Sequence, residues 1–544
     1  MLPIKKETKP LLLKDGTRLD ADVYTPDADG SFPVLLMRQP YGRAIASTVV
    51  YAHPRWYAAR GYIVVIQDVR GRGSSTGEFD LFRHEVEDGA ETVAWAAELP
   101  QSTGDVGMYG FSYQGMTQLF AAAAQPPALK TLCPAMVAYD LREDWAYEGG
   151  AFCLQASFGW AVQLAAETAR RQGHRDAYKT LYTAARTPLS CDPVCARSAL
   201  LNQIAPDAFY HDWLDPPSEA YWQQRSPRHY IDAIAQMELP MLHIGGWYDT
   251  YMRGTLRLYK EMAARSEQPQ HLWVGPWPHI PWGRHVGDLD FGPEAVNPID
   301  RLQLRWFDQF LKGKETGLLG EAPVHLFEMG RNRWRSLPQF PAPEPAIYWL
   351  DSDGLAGLDE RSGALTLEKP ESAVADTLVH DPWRPVGAVG GHAVFPAGAF
   401  DRAAMDSRAD VLTYTLAVER DLHLTGVAIA HISCQVDAPG FDLCAVLSDV
   451  HPGGQVYPLA QGYRRVQGHV DGEAVTISLQ PTSACIAAGH GLRLSISGAC
   501  FPAYPVNPGT GESLTEGRLM EAQVITLSLL SGRSYLELPV VDGR

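Results

Sequence analysis

Residues 107–115 constrain the fold of this chain more than any other stretch, with the sequence Gly-Met-Tyr-Gly-Phe-Ser-Tyr-Gln-Gly. An apolar strand pattern stops at Ser112, and helical spacing over 116–124 follows directly. This pattern is typical of a nucleophile elbow, a sharp strand-to-helix turn that raises a hydroxyl above the edge of a sheet. A strict G-x-S-x-G motif has glycine at position 114, whereas this chain has Gln114 followed by Gly115. A strand–turn–helix with a helix-capping serine is the alternative interpretation.

Two later segments supply the other groups that an acyl-transfer site needs. Asp249 follows an apolar strand and two aromatic residues, and His279 lies in a proline-rich loop after the next strand. Taken alone, Asp249 could be a helix N-cap and His279 an ordinary surface histidine. The order Ser112, Asp249, His279 is that of the α/β-hydrolase triad. The three together predict a nucleophile, an orienting acid and a general base.

Two tyrosines are candidates for stabilising an oxyanion. In an α/β-hydrolase, one donor is the N–H of the residue after the nucleophile, here Tyr113, and the other comes from the loop after an early strand. Tyr41 occupies such a loop, and its phenol is a hydrogen-bond donor. Packing of Tyr41 within its loop, without a role in chemistry, is the alternative.

Bulk properties narrow the class of protein. The chain has 544 residues, which predicts two or three domains. A net charge of −17 argues against nucleic acid or an anionic membrane surface as a partner. No apolar run approaches the about 20 residues of a membrane span, and the first residues lack the apolar core of a signal peptide. Scattered cysteines without a nearby histidine pair indicate free thiols in a reducing cytoplasm and no zinc site.

The pattern of predicted elements divides the chain into four segments. Strand and helix signals alternate over 1–139 and again over 233–342, which predicts a mostly parallel sheet covered by helices. Between them, 140–232 contains a long amphipathic stretch and few strand signals, as expected of a helical insertion. After the proline-rich joint at 341–345, the segment 343–544 has short strands separated by turn residues. This spacing predicts an antiparallel β-sandwich of the jelly-roll type.

The motifs together resemble the cocaine esterase-like hydrolases, the CocE/NonD family, which is related to the X-Pro dipeptidyl-peptidases. The matching pieces are Pro40-Tyr41, Gln67-Asp68-Val69-Arg70-Gly71, the G-x-S-Y-x-G form at 110–115, Gly246-Trp247-Tyr248-Asp249, Gly275-Pro276-Trp277-Pro278-His279, Trp306-Phe307-Asp308, residues 324–334 and Asn507-Pro508-Gly509-Thr510-Gly511. They extend over nearly the whole chain. The family has its second elbow glycine at the place of Gly115, so the displaced glycine is a family feature.

This resemblance implies an α/β-hydrolase core, an inserted helical cap and a C-terminal jelly roll. It also implies Ser112 as nucleophile, His279 as base and Asp249 as its orienter. The Tyr41 hydroxyl and the Tyr113 N–H would form the oxyanion hole. No metal or organic cofactor is implied. The expected partner is a small ester, amide or short peptide, and a homodimer is compatible with the resemblance.

Four aromatic residues match positions of an acyl pocket in the cocaine esterases: Trp145, Trp160, Tyr251 and Phe395. Packing in the hydrophobic core is the alternative for each of them. Acidic residues also stand at the start of the predicted cap, at positions 140, 143, 144 and 148. Such carboxylates could bind the α-ammonium group of a substrate, as an aminopeptidase or an α-amino ester hydrolase requires.

The sequence is therefore compatible with several functions. The α-amino ester hydrolases of this family carry acidic residues shortly after the triad aspartate, and Thr-Tyr-Met at 250–252 argues against that subgroup. The main hypothesis is a serine hydrolase that cleaves an ester or amide through an acyl-enzyme. An X-Pro dipeptidyl aminopeptidase is the nearest alternative. An acyltransferase and a non-catalytic protein whose jelly roll binds carbohydrate are two others.

Overall fold

The computed structural model describes residues 1–44, 48–185, 192–468, 471–513 and 515–543. The first part of the chain alternates strands with helices. Its strands are β1 Ile4–Leu12, β2 Arg18–Pro26, β3 Phe32–Gln39, β4 Ile63–Asp68, β5 Ser102–Phe111 and β6 Leu129–Ala135. Its helices are α1 Pro54–Ala58, α2 Glu85–Ala97 and α3 Tyr113–Ala123.

A helical cap follows β6. It begins with a π-helical turn, Arg142–Ala146, and the short pair β7 Tyr147–Glu148 and β8 Ala151–Phe152. Its helices are α4 Leu154–Arg171, α5 Arg175–Ala184, α6 Ala199–Ile204, α7 Phe209–Leu214, α8 Glu219–Gln224, the 3₁₀ turn Pro227–Tyr230 and α9 Ile231–Gln236. The buried faces of these helices join the hydrophobic cluster that α2 and α3 form above the sheet.

The chain then returns to the first sheet. The elements are β9 Met241–Tyr248, α10 Met252–Arg265, β10 Gln270–Pro278, β11 His285–Val286, β12 Leu289–Asp290, the 3₁₀ turn Pro293–Ala295, α11 Ile299–Lys312, the 3₁₀ turn Leu318–Gly320, β13 Val324–Glu328 and β14 Arg333–Leu337. Among the described residues this sheet has ten strands, in the order β1-β2-β4-β3-β5-β6-β9-β10-β13-β14. Neighbouring strands from β4 to β13 are parallel, and antiparallel pairs lie at both edges.

Strand periodicity explains how helices cover both faces of this sheet. Leu36 packs in one core cluster with residues of α2 and α3, whereas its neighbours Leu35 and Met37 pack in another with residues of α1 and α11. Alternate side chains of a strand point to opposite faces, so a fully buried strand such as β3 must be apolar throughout. The carboxyl ends of the parallel strands meet at one edge, beneath the cap.

The C-terminal part is a β-rich domain. Its elements are β15 Ala346–Asp351, β16 Ala364–Thr366, β17 Ala375–His380, α12 Ala403–Asp406, β18 Val411–Ala417, β19 Leu422–Gly426, β20 Ile429–Val436, β21 Gly440–Val450, β22 Val456–Gln467, β23 Asp471–Ser478, β24 Thr482–Ile486, β25 Gly491–Ser497, the 3₁₀ turn Leu519–Glu521, β26 Ile525–Leu530 and β27 Tyr535–Leu538. Pairing is antiparallel except between β16 and β18 in this described portion.

The predicted fold class is confirmed: an α/β-hydrolase core, a helical cap and a C-terminal β-sandwich. The second large sheet has eleven strands in the described chain, and β19 pairs separately with β24. Its hydrophobic core is continuous with Trp247 of β9 and Leu326 of β13, so the sandwich packs directly against one flank of the first sheet. None of the described helices combines the length and apolar character that crossing a membrane requires.

Candidate active site

Ser112 lies in a strained turn between β5 and α3. Its backbone has φ of 61° and ψ of −127°, outside the regions that non-glycine residues normally adopt. The Ser112 N–H donates to the carbonyl of Ala135, 2.9 Å away on the adjacent β6. Although Ser112 occupies the N-cap position of α3, its side chain makes no capping hydrogen bond. The strain and the unused capping role argue for a nucleophile elbow.

Two glycines are required by the close packing around this elbow. A Cβ on Gly110 would lie 2.5 Å from the Cβ of Gln114, and one on Gly115 would lie 2.3 Å from a methyl carbon of Val137. Both distances are far below van der Waals contact. The side chain of Gln114 is accommodated in a buried position. Packing therefore places the second glycine at 115 and explains the departure from G-x-S-x-G.

Asp249 and His279 are brought together by strand register. The parallel strands β9 and β10 pair Tyr248 with Pro278, so the residues that follow each strand emerge side by side. The Oδ1 of Asp249 lies 2.8 Å from the Nδ1 of His279, and Asp249 is fully buried. The N-cap position of α10 is held by Tyr251 rather than by Asp249. The Asp249 carboxylate thus orients an imidazole.

Backbone contacts from three directions fix the Asp249–His279 pair. The Asp249 N–H donates to the carbonyl of Gly246. The Asp249 carbonyl in turn accepts a hydrogen bond of 2.6 Å from the Nε2 of Gln480. The indole N–H of Trp282 donates to the His279 carbonyl over 3.0 Å. Gln480 lies between β23 and β24, so the C-terminal domain supports the site directly. Sequence reasoning missed Gln480, because a single glutamine in a distant loop carries no motif.

The elbow and the imidazole lie against each other. The ring of Phe111, the residue before Ser112, has its centroid 5.3 Å from that of His279. Tyr251 packs edge-on against the other side of His279, at 4.9 Å. Within the described residues no hydrogen bond joins the Ser112 hydroxyl to His279. Hydrogen bonds between a nucleophile and its general base are often long in the absence of substrate and shorten when substrate binds.

The Tyr41 hydroxyl lies between the elbow and the cap. It accepts a hydrogen bond of 3.1 Å from the indole N–H of Trp160 and lies near enough to Ser112 to interact with its hydroxyl. Burial raises the pKa of Tyr41 to about 12, while these contacts and the charge of Arg72 oppose the rise. Tyr41 is consequently protonated at neutral pH. With its oxygen accepting from Trp160, the protonated phenol still has its own O–H to donate beside the elbow.

Tyr113 presents its backbone and its side chain in different directions. Its N–H belongs to the first turn of α3, where helix amides lack intrahelical acceptors. Its phenol donates to the Oε1 of buried Glu85 over 2.8 Å, and Glu85 pairs with Arg38 at 2.5 Å. The ring stacks on Phe82 with centroids 4.3 Å apart. Because this network holds the side chain in the core, only the Tyr113 amide is available to the site.

Three of the four predicted pocket aromatics form one wall beside His279. Trp145 stacks on Trp160 at 4.9 Å and packs against Tyr251 at 4.3 Å. Phe395 is not part of this wall: the residue is 53% exposed, and no described ring contact joins it to the other three. Its backbone N–H instead donates to the side chain of Gln155 on α4. The cap and the core thus supply the wall without the C-terminal domain.

The acidic residues at the start of the cap are engaged by arginines. The pairs are Asp140 with Arg228, Asp144 with Arg257 and Glu148 with Arg253. Two of these arginines come from α10, and all three carboxylates are buried. Although burial opposes it, the charges of Arg253 and His392 hold the pKa of Glu148 at about 2. The pairs of Asp144 and Glu148 join the cap to α10 of the core, whereas Asp140 and Arg228 pair within the cap.

Comparisons with known proteins show which family the chain resembles. Residues 15–281 match the family model described as X-Pro dipeptidyl-peptidase (S15 family), and residues 317–529 match that of the X-Pro dipeptidyl-peptidase C-terminal non-catalytic domain. The cocaine esterase of Rhodococcus sp. (strain MB1 Bresler) is 31% identical, with 97% of each chain covered.

Solved structures extend the likeness in fold. An aminopeptidase from a marine sediment Thaumarchaeota archaeon has a TM-score of 0.82 at 21% identity, covering 99% of this chain and 97% of its own. An α-amino acid ester hydrolase has a TM-score of 0.79 at 21% identity with the same coverage.

Proposed function

The chain belongs to the CocE/NonD family of serine hydrolases, related to the S15 X-Pro dipeptidyl-peptidases, and we propose that it is a carboxylesterase for esters of neutral, aromatic acyl groups. Ser112 attacks the ester carbonyl and forms an acyl-enzyme. His279, oriented by Asp249, takes the hydroxyl proton and passes it to the leaving alcohol, then activates water to release the acid. The Tyr41 hydroxyl and the Tyr113 N–H stabilise the oxyanion in both steps.

The ion pairs between arginines and the carboxylates at the start of the cap favour a neutral substrate over one with a free amino group. A dipeptidyl aminopeptidase must hold a free α-ammonium group, and a buried carboxylate without a cationic partner would serve that purpose. Here Asp140, Asp144 and Glu148 each have an arginine partner, and Glu143 is largely exposed beside Arg142. The wall of Trp145, Trp160 and Tyr251 beside His279 instead favours a neutral aromatic group.

A comparison of three substrates tests this proposal. We expect kcat/KM for 4-nitrophenyl benzoate, relative to its uncatalysed hydrolysis, to exceed that for 4-nitrophenyl acetate. Burial of a phenyl ring is worth about 1.5–3 kcal/mol, or roughly ten- to a hundredfold. Trp145→Ala should remove most of this preference while leaving acetate turnover within a few fold. An equal preference in parent and variant would contradict the assignment of the acyl pocket.

Ala-Pro-4-nitroanilide and its N-acetylated form distinguish the aminopeptidase alternative. The proposed esterase should cleave neither form at a rate comparable with the benzoate ester. Faster cleavage of the free amine than of the acetylated anilide would overturn the neutral-acyl proposal in favour of the X-Pro activity. Product analysis with added alcohol tests the remaining alternative, because an acyltransferase would form the new ester in preference to the free acid.

We propose a cytoplasmic location, because scattered cysteines without a disulfide among the described residues suit a reducing compartment. The described cysteines are all free, including Cys444 and Cys500, which are buried in the same apolar cluster. Two adjacent thiols are prone to oxidation outside reducing compartments. Titration of thiols in the denatured protein should give eight per chain, the number of cysteines in the sequence. A lower number would indicate a disulfide and contradict the placement.

A further inference from the structure

Three side chains with metal-ligating atoms meet at one end of the C-terminal sheet. They are Asp449, near the end of β21, His451, just after that strand, and His490, directly before β25. One ligating atom from each lies within 4.8 Å of the others. In the described part of the chain, this is the one group of three such residues.

Strand register creates this cluster. The antiparallel strands β21 and β25 pair Val450 with Gly491, so the next position places His451 opposite His490. Asp449 lies two residues before His451 and therefore shares its face of the sheet. The two imidazole centroids are 4.5 Å apart. His490 lies 41 positions after Asp449, so the sequence alone does not show that the three residues meet.

The distances suit a small ion. The Nδ1 of His490 lies 2.8 Å from the Oδ1 of Asp449, and the Nε2 of His451 lies 3.3 Å from the Oδ2. A tetrahedral zinc site with bonds of about 2.0–2.1 Å has its ligand atoms about 3.3 Å apart. Small movements of these side chains would be enough to place an ion between them. The three side chains are 12%, 20% and 33% exposed, for Asp449, His490 and His451, so a fourth position faces solvent.

We propose that Asp449, His451 and His490 bind one divalent transition-metal ion of the Zn²⁺ class. Two imidazoles with one carboxylate favour Zn²⁺, Ni²⁺ or Co²⁺ over Mg²⁺ and Ca²⁺, which prefer oxygen ligands. Three protein ligands with an open position resemble accessible rather than closed zinc sites. The ring of Tyr457 packs edge-on against His451 at 4.9 Å and forms a wall on one side of the cluster.

A simple hydrogen-bonded arrangement is the competing explanation, and the same domain offers a matched control. His431 and Glu537 form a histidine–carboxylate pair at 3.2 Å, and among the described residues no third ligating group accompanies it. If the Asp449 cluster were only such a pair with an additional histidine, neither place would bind metal tightly. A third ligand is what distinguishes the proposed site from His431.

Calorimetric titration of chelator-treated protein with ZnCl₂ tests the proposal. The parent should bind one equivalent of Zn²⁺ in a saturable step. Asp449→Asn and His490→Ala should each lose this step or bind the ion at least about tenfold more weakly. His431→Ala should match the parent. Far-UV circular dichroism of each variant establishes that the fold is intact. The same Zn²⁺ stoichiometry and affinity in the parent and both cluster variants would overturn the proposal, as would the absence of a saturable step in the parent.

Two substitutions at His451 separate ligation from a structural role. A thiolate replaces an imidazole as a zinc ligand, so His451→Cys should retain the Zn²⁺ step that His451→Ala loses. Zn²⁺ should also raise the Tm of the parent and of His451→Cys but not of His451→Ala. Equal behaviour of the two His451 variants would contradict ligation at this position.

Discussion

The core and the cap contribute to the candidate site in different ways. The core supplies Ser112, Asp249 and His279, each directly after a parallel strand, with positions set by backbone register. The cap supplies Trp145 and Trp160 of the aromatic wall and is joined to α10 by buried ion pairs. If the proposed function is right, strand ends position the reacting groups, whereas the cap contributes to substrate selectivity. Substitutions in the two regions should therefore change different quantities.

The largest effect is expected at the nucleophile. Ser112→Ala should lower kcat for 4-nitrophenyl esters on the order of 10⁶-fold, as loss of a triad serine does in other hydrolases. The unfolding free energy should change little, because the Ser112 side chain makes no capping hydrogen bond. Turnover above a trace in a variant preparation free of contaminating esterases would contradict the assignment of Ser112 as the nucleophile.

Tyr41→Phe should have the next largest effect on turnover. Removal of one oxyanion donor typically costs about 10²–10³-fold in kcat. KM should change much less, since the hydroxyl acts on charge that develops in the transition state. Because the pKa of Tyr41 is about 12, this donor should not titrate in a pH–rate profile below about pH 11. An unchanged kcat in the variant would remove Tyr41 from the oxyanion hole.

Glu148→Gln tests the attachment of the cap. The folded pKa of Glu148 is about 2, below its ordinary 4.5, so the stabilisation is present above pH 4.5 and lost as pH falls toward 2. The full shift corresponds to about 3 kcal/mol. Thermal melts should show a lower Tm for the variant at pH 7, with a smaller loss of Tm on acidification than the parent. Parallel Tm curves for both proteins would contradict the ion-pair account.

Trp160→Phe should have the smallest effect on kcat. It tests the hydrogen bond that links the cap to Tyr41 of the core. The phenyl ring preserves stacking on Trp145 but loses the N–H that Tyr41 accepts. We expect kcat to fall a few fold, in line with about 1 kcal/mol for one hydrogen bond, and the benzoate preference to persist. A loss of preference with unchanged kcat would show that Trp160 serves binding alone.

The sequence predicted the fold class because its signals are local. A strand that stops at Ser112, with glycines at 110 and 115, specifies an elbow within nine residues. The alternation of strands and helices likewise predicted a parallel sheet, and the later short strands predicted the sandwich. Both expectations are confirmed by the structural neighbours.

Contacts between distant segments could not be predicted in the same way. Gln480 reaches Asp249 across 231 positions, and the partners of Asp144 and Glu148 lie more than one hundred residues downstream. Phe395 was assigned to the pocket by resemblance, yet it lies outside the aromatic wall. Side-chain pairing of this kind depends on how the domains dock, which no local pattern records.

Covalent labelling tests the central claim most directly. Reaction with a fluorophosphonate, followed by peptide mass mapping, should give one adduct per chain on Ser112. The reaction should be strongly slowed in His279→Ala, because the imidazole activates the hydroxyl. An adduct on a different residue, or no adduct in active protein, would contradict the assignment of Ser112 as the nucleophile.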